Sequence, residues 1–136
     1  MDYDHVLLSH EEASLAPVRA AGSPTMLINP GSWPQGLQVD TDTAVVLFYH
    51  DHDYEPVILR QMVRTPAFYF GAQGSRTTQA ARLARLRQMG LSEDELERIR
   101  GPIGLIPSSR DPNSLAISVL AEIVGIHAAR IASETG

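Results

Sequence analysis

The sequence predicts an α/β fold, a single domain over residues 1–136 built on a doubly wound, mostly parallel sheet. Three observations carry that prediction. Short apolar runs of strand length recur along the chain and alternate with longer stretches of helical periodicity. The clearest run, residues 44–49 (AVVLFY), is free of charge and rich in β-branched and aromatic residues, as suits a strand covered on both faces. Glycine, proline and cap residues fall between the runs, and 136 residues suffice for one buried core.

Taken in order, residues 5–9 (HVLLS) form the first expected strand and residues 11–21 the helix after it, with Leu15 and Val18 inward and Gly22 at its stop. Residues 25–29 (TMLIN) return as a second strand, closed by Pro30-Gly31, so the first stretch reads as a βαβ unit. Residues 30–36 are a turn-rich connector, and residues 37–39 are expected as a short edge strand. After the strand at 44–49, Asp53 is expected to cap a helix with Pro56 in its first turn and Val57, Ile58 and Met62 inward. Residues 67–70 (AFYF) form another strand, ending at Gly71. Ser75 or Thr77 then caps a helix running through Met89, with Gly90 at its stop. Ser92 and Glu95 stand at capping-box spacing. Residues 102–105 are expected as the last strand, and Asp111-Pro112 opens a helix to about residue 129. That helix is apolar at Ala116, Leu120, Ile123 and Val124, and also at Ile117 and Ile126. Apolar character on two sides predicts a second covered face, such as a subunit contact.

Composition excludes several function classes. Eleven Lys and Arg against sixteen Asp and Glu give a net charge of −5, with no basic block, which argues against a nucleic-acid partner. Arg82, Arg85 and Arg87, offset by Glu93, Asp94, Glu95 and Glu97, read as a solvated face. Absence of cysteine rules out disulfides, thiolate zinc sites and thiol nucleophiles. The acidic N-terminus is unlike a secretory signal, and no apolar run approaches bilayer length, so a cytoplasmic protein without a membrane partner is expected.

In an open parallel sheet a ligand sits beyond the carboxyl ends of the strands. Three loops are expected there: residues 9–12, 50–53 and 71–76. The first holds Ser9, His10, Glu11 and Glu12 where a dinucleotide site wants Gly-x-Gly-x-x-Gly, and the two glutamates would repel a phosphate. Asn29 ends the second strand where an acid often binds ribose, so NAD(P) in its ordinary mode is disfavoured. The third loop suits an anion: Gly71 and Gly74 permit a tight path beside Ala72, Ser75 offers a hydroxyl, and Arg76 a forked charge at a helix start. A tight strand-to-helix turn without any ligand is the competing reading. His50, Asp51, His52 and Asp53 are metal-ligand types, but neighbours at a strand end point different ways. An acid–base pair of His50 with Asp51 or Asp53 is geometrically easier. Ser108-Ser109-Arg110 could lend hydroxyls to the same crevice or serve as a solvated linker.

Several segments together resemble a known family. Tyr49-His50-Asp51-His52-Asp53-Tyr54, the run from Ala67 to the Gly71-Ala72-Gln73-Gly74-Ser75-Arg76 loop, Gly90-Leu91-Ser92, Arg98-Ile99, Pro102-Ile103-Gly104-Leu105 and the stretch from Ala116 to Ile123 are similar to the C-terminal Rossmann-like domain of XdhC/CoxI proteins. The likeness is strong from Asp40 onward and looser over Leu15-Ala16-Pro17 and Ala21-Gly22. The resemblance implies a cytoplasmic, often dimeric, non-enzymatic factor that holds molybdenum cofactor (molybdopterin). It also implies delivery of that cofactor to an apoprotein of the xanthine dehydrogenase or CO dehydrogenase type. On that reading Gly71, Ala72, Gly74, Ser75 and Arg76 hold phosphate, His50 and Asp53 line the pterin side, and Pro102, Ile103 and Gly104 form the opposite wall. The family's separate N-terminal domain is expected to be absent. Ser9-His10-Glu11 replaces a glycine-rich first turn, and Ile106-Pro107-Ser108-Ser109 departs from the usual continuation. An NAD(P)-dependent oxidoreductase and a ligand-free dimeric interaction module stay open beside it.

Overall fold

The computed structural model describes residues 4–30, 32–34, 36–48, 54–106 and 111–135. The chain divides into two compact units, Met1–Leu37 and Gln38–Gly136, each holding one parallel sheet.

In the first unit, β1 (Leu7–Ser9) pairs in parallel with β2 (Thr25–Leu27), and α1 (Glu12–Ala20) joins them. The expected βαβ unit is present with shorter strands. Leu15 on α1 is fully buried and anchors the helix on the two strands. Glu11 occupies the N-cap position, but its side chain does not cap the helix; Ser9 Oγ instead accepts the Glu11 N–H at 3.1 Å. Residues 37–39 are irregular rather than an edge strand, because the Leu37 N–H turns back to donate to Pro34 O at 3.3 Å.

The second unit orders its strands β3-β4-β5: β3 (Ala44–Leu47), β4 (Tyr69–Ala72) and β5 (Ile99–Arg100), all parallel. Parallel neighbours need crossovers. Here α2 (Glu55–Met62) supplies the first, and α3 (Arg76–Gln88) with α4 (Glu93–Glu97) supplies the second. Finally, α5 (Pro112–Thr135) closes the chain. Local chemistry sets the helix starts. Ser75 rather than Thr77 caps α3, Ser92 and Glu95 form the expected capping box on α4, and Asp111 Oδ2 accepts from Ser114 N and Oγ at 3.3 and 2.7 Å. Tyr54, rather than the expected Asp53, stands at the N-cap of α2, and among the described residues no side chain caps that helix; Asp53 itself lies outside them.

Three strands of this unit differ from expectation, the first being β3, which ends at Leu47 and leaves Phe48 outside it. β4 begins two residues later than the apolar run and continues through Gly71 and Ala72, because Val46 and Leu47 still pair with them. The last strand is Ile99–Arg100, not 102–105: Pro102 has no N–H to extend the ladder, and the positive φ of Gly104 turns the chain away. The 102–105 segment instead packs under α5. There Ile103 joins Tyr69, Val119 and Ile123 in a buried cluster, with Ala44, Val46, Phe68, Leu115 and Ile126 against it. Side chains alternate along a strand, so Phe70 and Ala72 face the other way and are equally buried. Ile58, Leu59 and Met62 of α2 and Leu86 of α3 are buried as well. Arg98 ties the end of α2 to β4, donating to Val63 O, to Thr65 O at 3.0 Å and to Ala67 O at 3.3 Å, with its guanidinium 4.7 Å from the Phe70 ring centre.

Two features of the final helix bear on the expectations. Within Pro112–Glu134 an 18-residue stretch reaches a mean hydropathy of 1.7, so the helix is long and apolar enough, by length and composition alone, to cross a bilayer. Its scattered polar residues interrupt the run without lowering the average enough. They also form the edge that docks: Ser118 Oγ accepts from Ile106 N at 2.7 Å, and Glu122 accepts from Tyr69 Oη at 2.7 Å. Arg130 donates to Thr41 O at 2.6 Å, and His127 Nε2 lies 3.1 Å from Asp42 Oδ1. Second, Ala116 and Leu120 are exposed, together with Ile117, while Leu115, Val119, Ile123 and Ile126 face the core.

Burial first, and then the hydrogen bond to Glu122, pushes the Tyr69 phenol well above its ordinary range. Raised in the folded state, it stays neutral while the unfolded chain ionises near pH 10. Its stabilisation is therefore complete below about pH 10 and is lost as pH rises from there through the folded value. Urea midpoints followed into alkaline pH should drop above about pH 10, and Tyr69→Phe should flatten that drop. An equal slope in the variant would exclude Tyr69 as its source.

Candidate functional site

The site grows from the carboxyl end of β4. Gly71 and Ala72 are buried in the ladder, so the turn proper is shorter than the expected loop of residues 71–76. A Cβ on Gly71 would lie 2.7 Å from Ile103 Cγ2 and 2.7 Å from Tyr69 Cε1, so close packing requires a glycine there. The same contact brings together one member of the expected anion loop and one of the expected opposite wall. Gln73 N–H still donates to Leu47 O at 2.9 Å, and the strand then stops.

Gly74 takes a φ of +143°, a conformation that side chains rarely adopt, and its missing Cβ makes room for Thr78 Cγ2. Ser75 Oγ accepts the Thr78 N–H at 3.2 Å and lies 3.1 Å from Thr78 Oγ1, which fixes the start of α3. Arg76 is the first residue of that helix, exposed, and the first turn carries no acid. The first N–H groups of a helix have no intrahelical acceptor, and the dipole places partial positive charge at this end. Chemically, the turn offers outward N–H donors, a hydroxyl and the exposed guanidinium of Arg76 to an anion. Pro102 is half-buried and Gly104 is buried against Ser118. His50, Asp51, His52, Asp53 and Ser108-Ser109-Arg110 lie outside the described residues. Among the described residues no cluster of His, Asp and Glu could hold a metal ion.

Beneath the turn is a network that sequence reasoning missed. Arg82, expected on a solvated face, is buried. It donates to Glu55 Oε1 from Nε at 2.5 Å, to Gln79 Oε1 from Nη1 at 2.5 Å and to Gln73 O from Nη2 at 2.6 Å. Gln79 passes the chain on, donating from Nε2 to Ile99 O in β5 at 3.0 Å. The signal was present in the helical period: Leu86 marks the inner stripe of α3, and Arg82 and Gln79 stand four and seven residues before it. A cleft of about 400 Å³ opens above this pair between α2 and α3, lined by Glu55, Pro56, Thr77, Thr78, Ala81, Arg82 and Arg85.

Parallel strands joined by helices, with a glycine turn feeding an acid-free helix start, define a Rossmann-like α/β domain. Residues 1–123 match the XdhC Rossmann domain. The chain belongs to that family. It is 39% identical over 126 residues to the molybdenum cofactor insertion chaperone PaoD of Escherichia coli K12, covering 93% of this chain and 39% of PaoD. YqeB of the same organism is 29% identical over 96 residues, covering 71% of this chain and 17% of YqeB. A crystal structure of a xanthine dehydrogenase from Bacillus halodurans superposes with a TM-score of 0.75 at 19% identity, over 94% of this chain and 36% of that one. The chain thus spans less than two fifths of the length of each of these relatives, and the structural likeness establishes the shared fold.

Proposed function

We propose that this chain is the cofactor-holding domain of a molybdenum-cofactor insertion factor, serving an apoprotein of the xanthine dehydrogenase family without turnover of its own. The similarity to PaoD across 93% of the chain carries the reading. The geometry supports it: the cofactor is an anionic pterin phosphate, and the turn at Gly74, Ser75 and Arg76 presents donors and positive charge with no competing acid in the first turn of α3. Gly71 and Ala72 deliver the strand to that turn, and on this reading Pro102, Ile103 and Gly104 form the opposite wall. The residues hold and orient the cofactor; the redox chemistry belongs to the molybdenum centre once it is in the target enzyme. A homodimer and a cytoplasmic setting belong to the same reading, and the exposed Ile117 and Leu120 on α5 support a covered apolar face.

Anaerobic calorimetric titration with molybdenum cofactor, with NAD and NADP in parallel, tests the proposal. Binding of the pterin alone is expected. Arg76→Ala should weaken it by about 1.5–3 kcal/mol, the range for hydrogen bonds to charged groups. Because Arg76 is exposed, the variant should keep its stability within about 0.5 kcal/mol. A folded variant with wild-type affinity would remove the turn as the site, and wild-type protein that ignores the cofactor would remove the reading itself.

A further inference from the structure

We infer that Arg82, held by Glu55, is the positioning residue that keeps the turn of residues 73–76 in its anion-receiving shape. That the turn receives an anion rests on the function proposed above; the shape of the turn does not.

A buried ion pair is a poor way to gain stability, since well-packed apolar residues of equal volume serve as well or better. The pair is therefore explained by something other than packing. What only a guanidinium does is donate in several fixed directions at once. Arg82 uses this to reach the first residue of α2 through Glu55, the last carbonyl before the turn at Gln73, and, through Gln79, the backbone of β5. Gln73 follows the carboxyl end of β4 and Glu55 opens the helix after β3, the region where an open parallel sheet binds its ligand, while Ile99 anchors the network at the start of the short β5.

The Gln73 contact has a direct consequence. The only cis peptide among the described residues is Gly101-Pro102, so Gln73-Gly74 is trans. In a trans peptide the C=O and the following N–H point in opposite directions. Drawing the Gln73 carbonyl onto Arg82 therefore turns the Gly74 N–H away from the core, beside the free N–H groups at the start of α3. Arg82 itself is not the ligand's cation: Glu55 neutralises it and its side chain is only 2% exposed, whereas Arg76 at the start of α3 is exposed. Arg82 acts through Gln73, and it also ties the start of α2 to the end of β4.

The experiment compares wild type with the double variant Glu55→Leu/Arg82→Met, which keeps the volume apolar and removes the clamp. Two readouts are taken on the full chain: amide exchange at Gln73 and Thr78, whose N–H groups bond Leu47 O and Ser75 Oγ, and affinity for molybdenum cofactor by the same anaerobic titration. Exchange at those two amides should quicken relative to the body of α3, and affinity should fall about fivefold to tenfold, the scale of one lost hydrogen bond. Unchanged exchange in a folded double variant overturns the inference, as does quickened exchange with unchanged affinity. If wild type binds no cofactor, the exchange readout still decides whether Arg82 shapes the turn, and the proposed function alone falls. Should the double variant not fold, Arg82→Lys retains the charge opposite Glu55 but cannot span the three acceptors. Faster exchange at Gln73 and Thr78 is then expected, and wild-type exchange rejects the clamp.

Discussion

Arg82→Ala is expected to lower the stability of the chain by about 3–5 kcal/mol, the cost of leaving a buried charge without its partner. Glu55 is buried, and removal of Arg82 would strand its carboxylate, the Gln73 carbonyl and the Gln79 carboxamide together. Among the described residues no buried side-chain polar atom lacks a partner, so the network is complete and its failure is concentrated. Glu55→Ala should cost a similar amount, since it strands the guanidinium instead. The two losses should not add, because each removes the same interaction. The apolar double variant removes the unpaired charge, so it should recover part of the loss and keep a deficit of about 1–3 kcal/mol from the Gln73 carbonyl and the Gln79 carboxamide left without Arg82. Urea denaturation of the four proteins measures this directly. A loss below about 1 kcal/mol in the single variants would mean that water reaches the pair and that it behaves as a surface ion pair.

Gly104→Ala should be the next most damaging change, costing roughly 2–5 kcal/mol from two separable sources. The residue sits at φ +95°, where an L side chain costs about 1–2 kcal/mol. Its Cβ would also lie 2.6 Å from Ser118 Oγ and 3.2 Å from Ser118 Cβ, and overpacking a tight contact costs about 1–3 kcal/mol. Ser118 cannot simply move aside, because its hydroxyl accepts the Ile106 N–H at 2.7 Å and holds the 102–106 segment on α5. Urea midpoints again supply the measurement. A change within about 0.5 kcal/mol would place Gly104 in ordinary backbone away from α5.

Much of the fold was legible because its signals are local. The strand–helix alternation predicts parallel pairing, and both sheets are parallel. Ser75, the Ser92–Glu95 capping box and Asp111 all act within three residues of themselves, so their roles are written in the order of the chain. The start of the candidate site was legible for the same reason: a strand, a glycine, a cap and an arginine follow one another directly. Less legible were the places where an apolar run and a hydrogen-bond ladder disagree. Phe68 belongs to the run but precedes β4, while Gly71 and Ala72 belong to the ladder without being strand formers.

The sequence by itself determined the class of fold, the starts of α3, α4 and α5, the family and the glycine-to-arginine turn. Tertiary structure alone decided that Arg82 is buried against Glu55, 27 positions away, and that Tyr69 meets Glu122 across 53. It also decided that the polar edge of α5 faces inward while Ile117 and Leu120 face out. Caps and periodicities are set by neighbours within a turn of helix, whereas a buried charge is tolerated only if a distant partner is brought to it. The helical period from Leu86 places Arg82 on the inner stripe of α3, but only the packing of α3 on α2 supplies the carboxylate that pairs with it there.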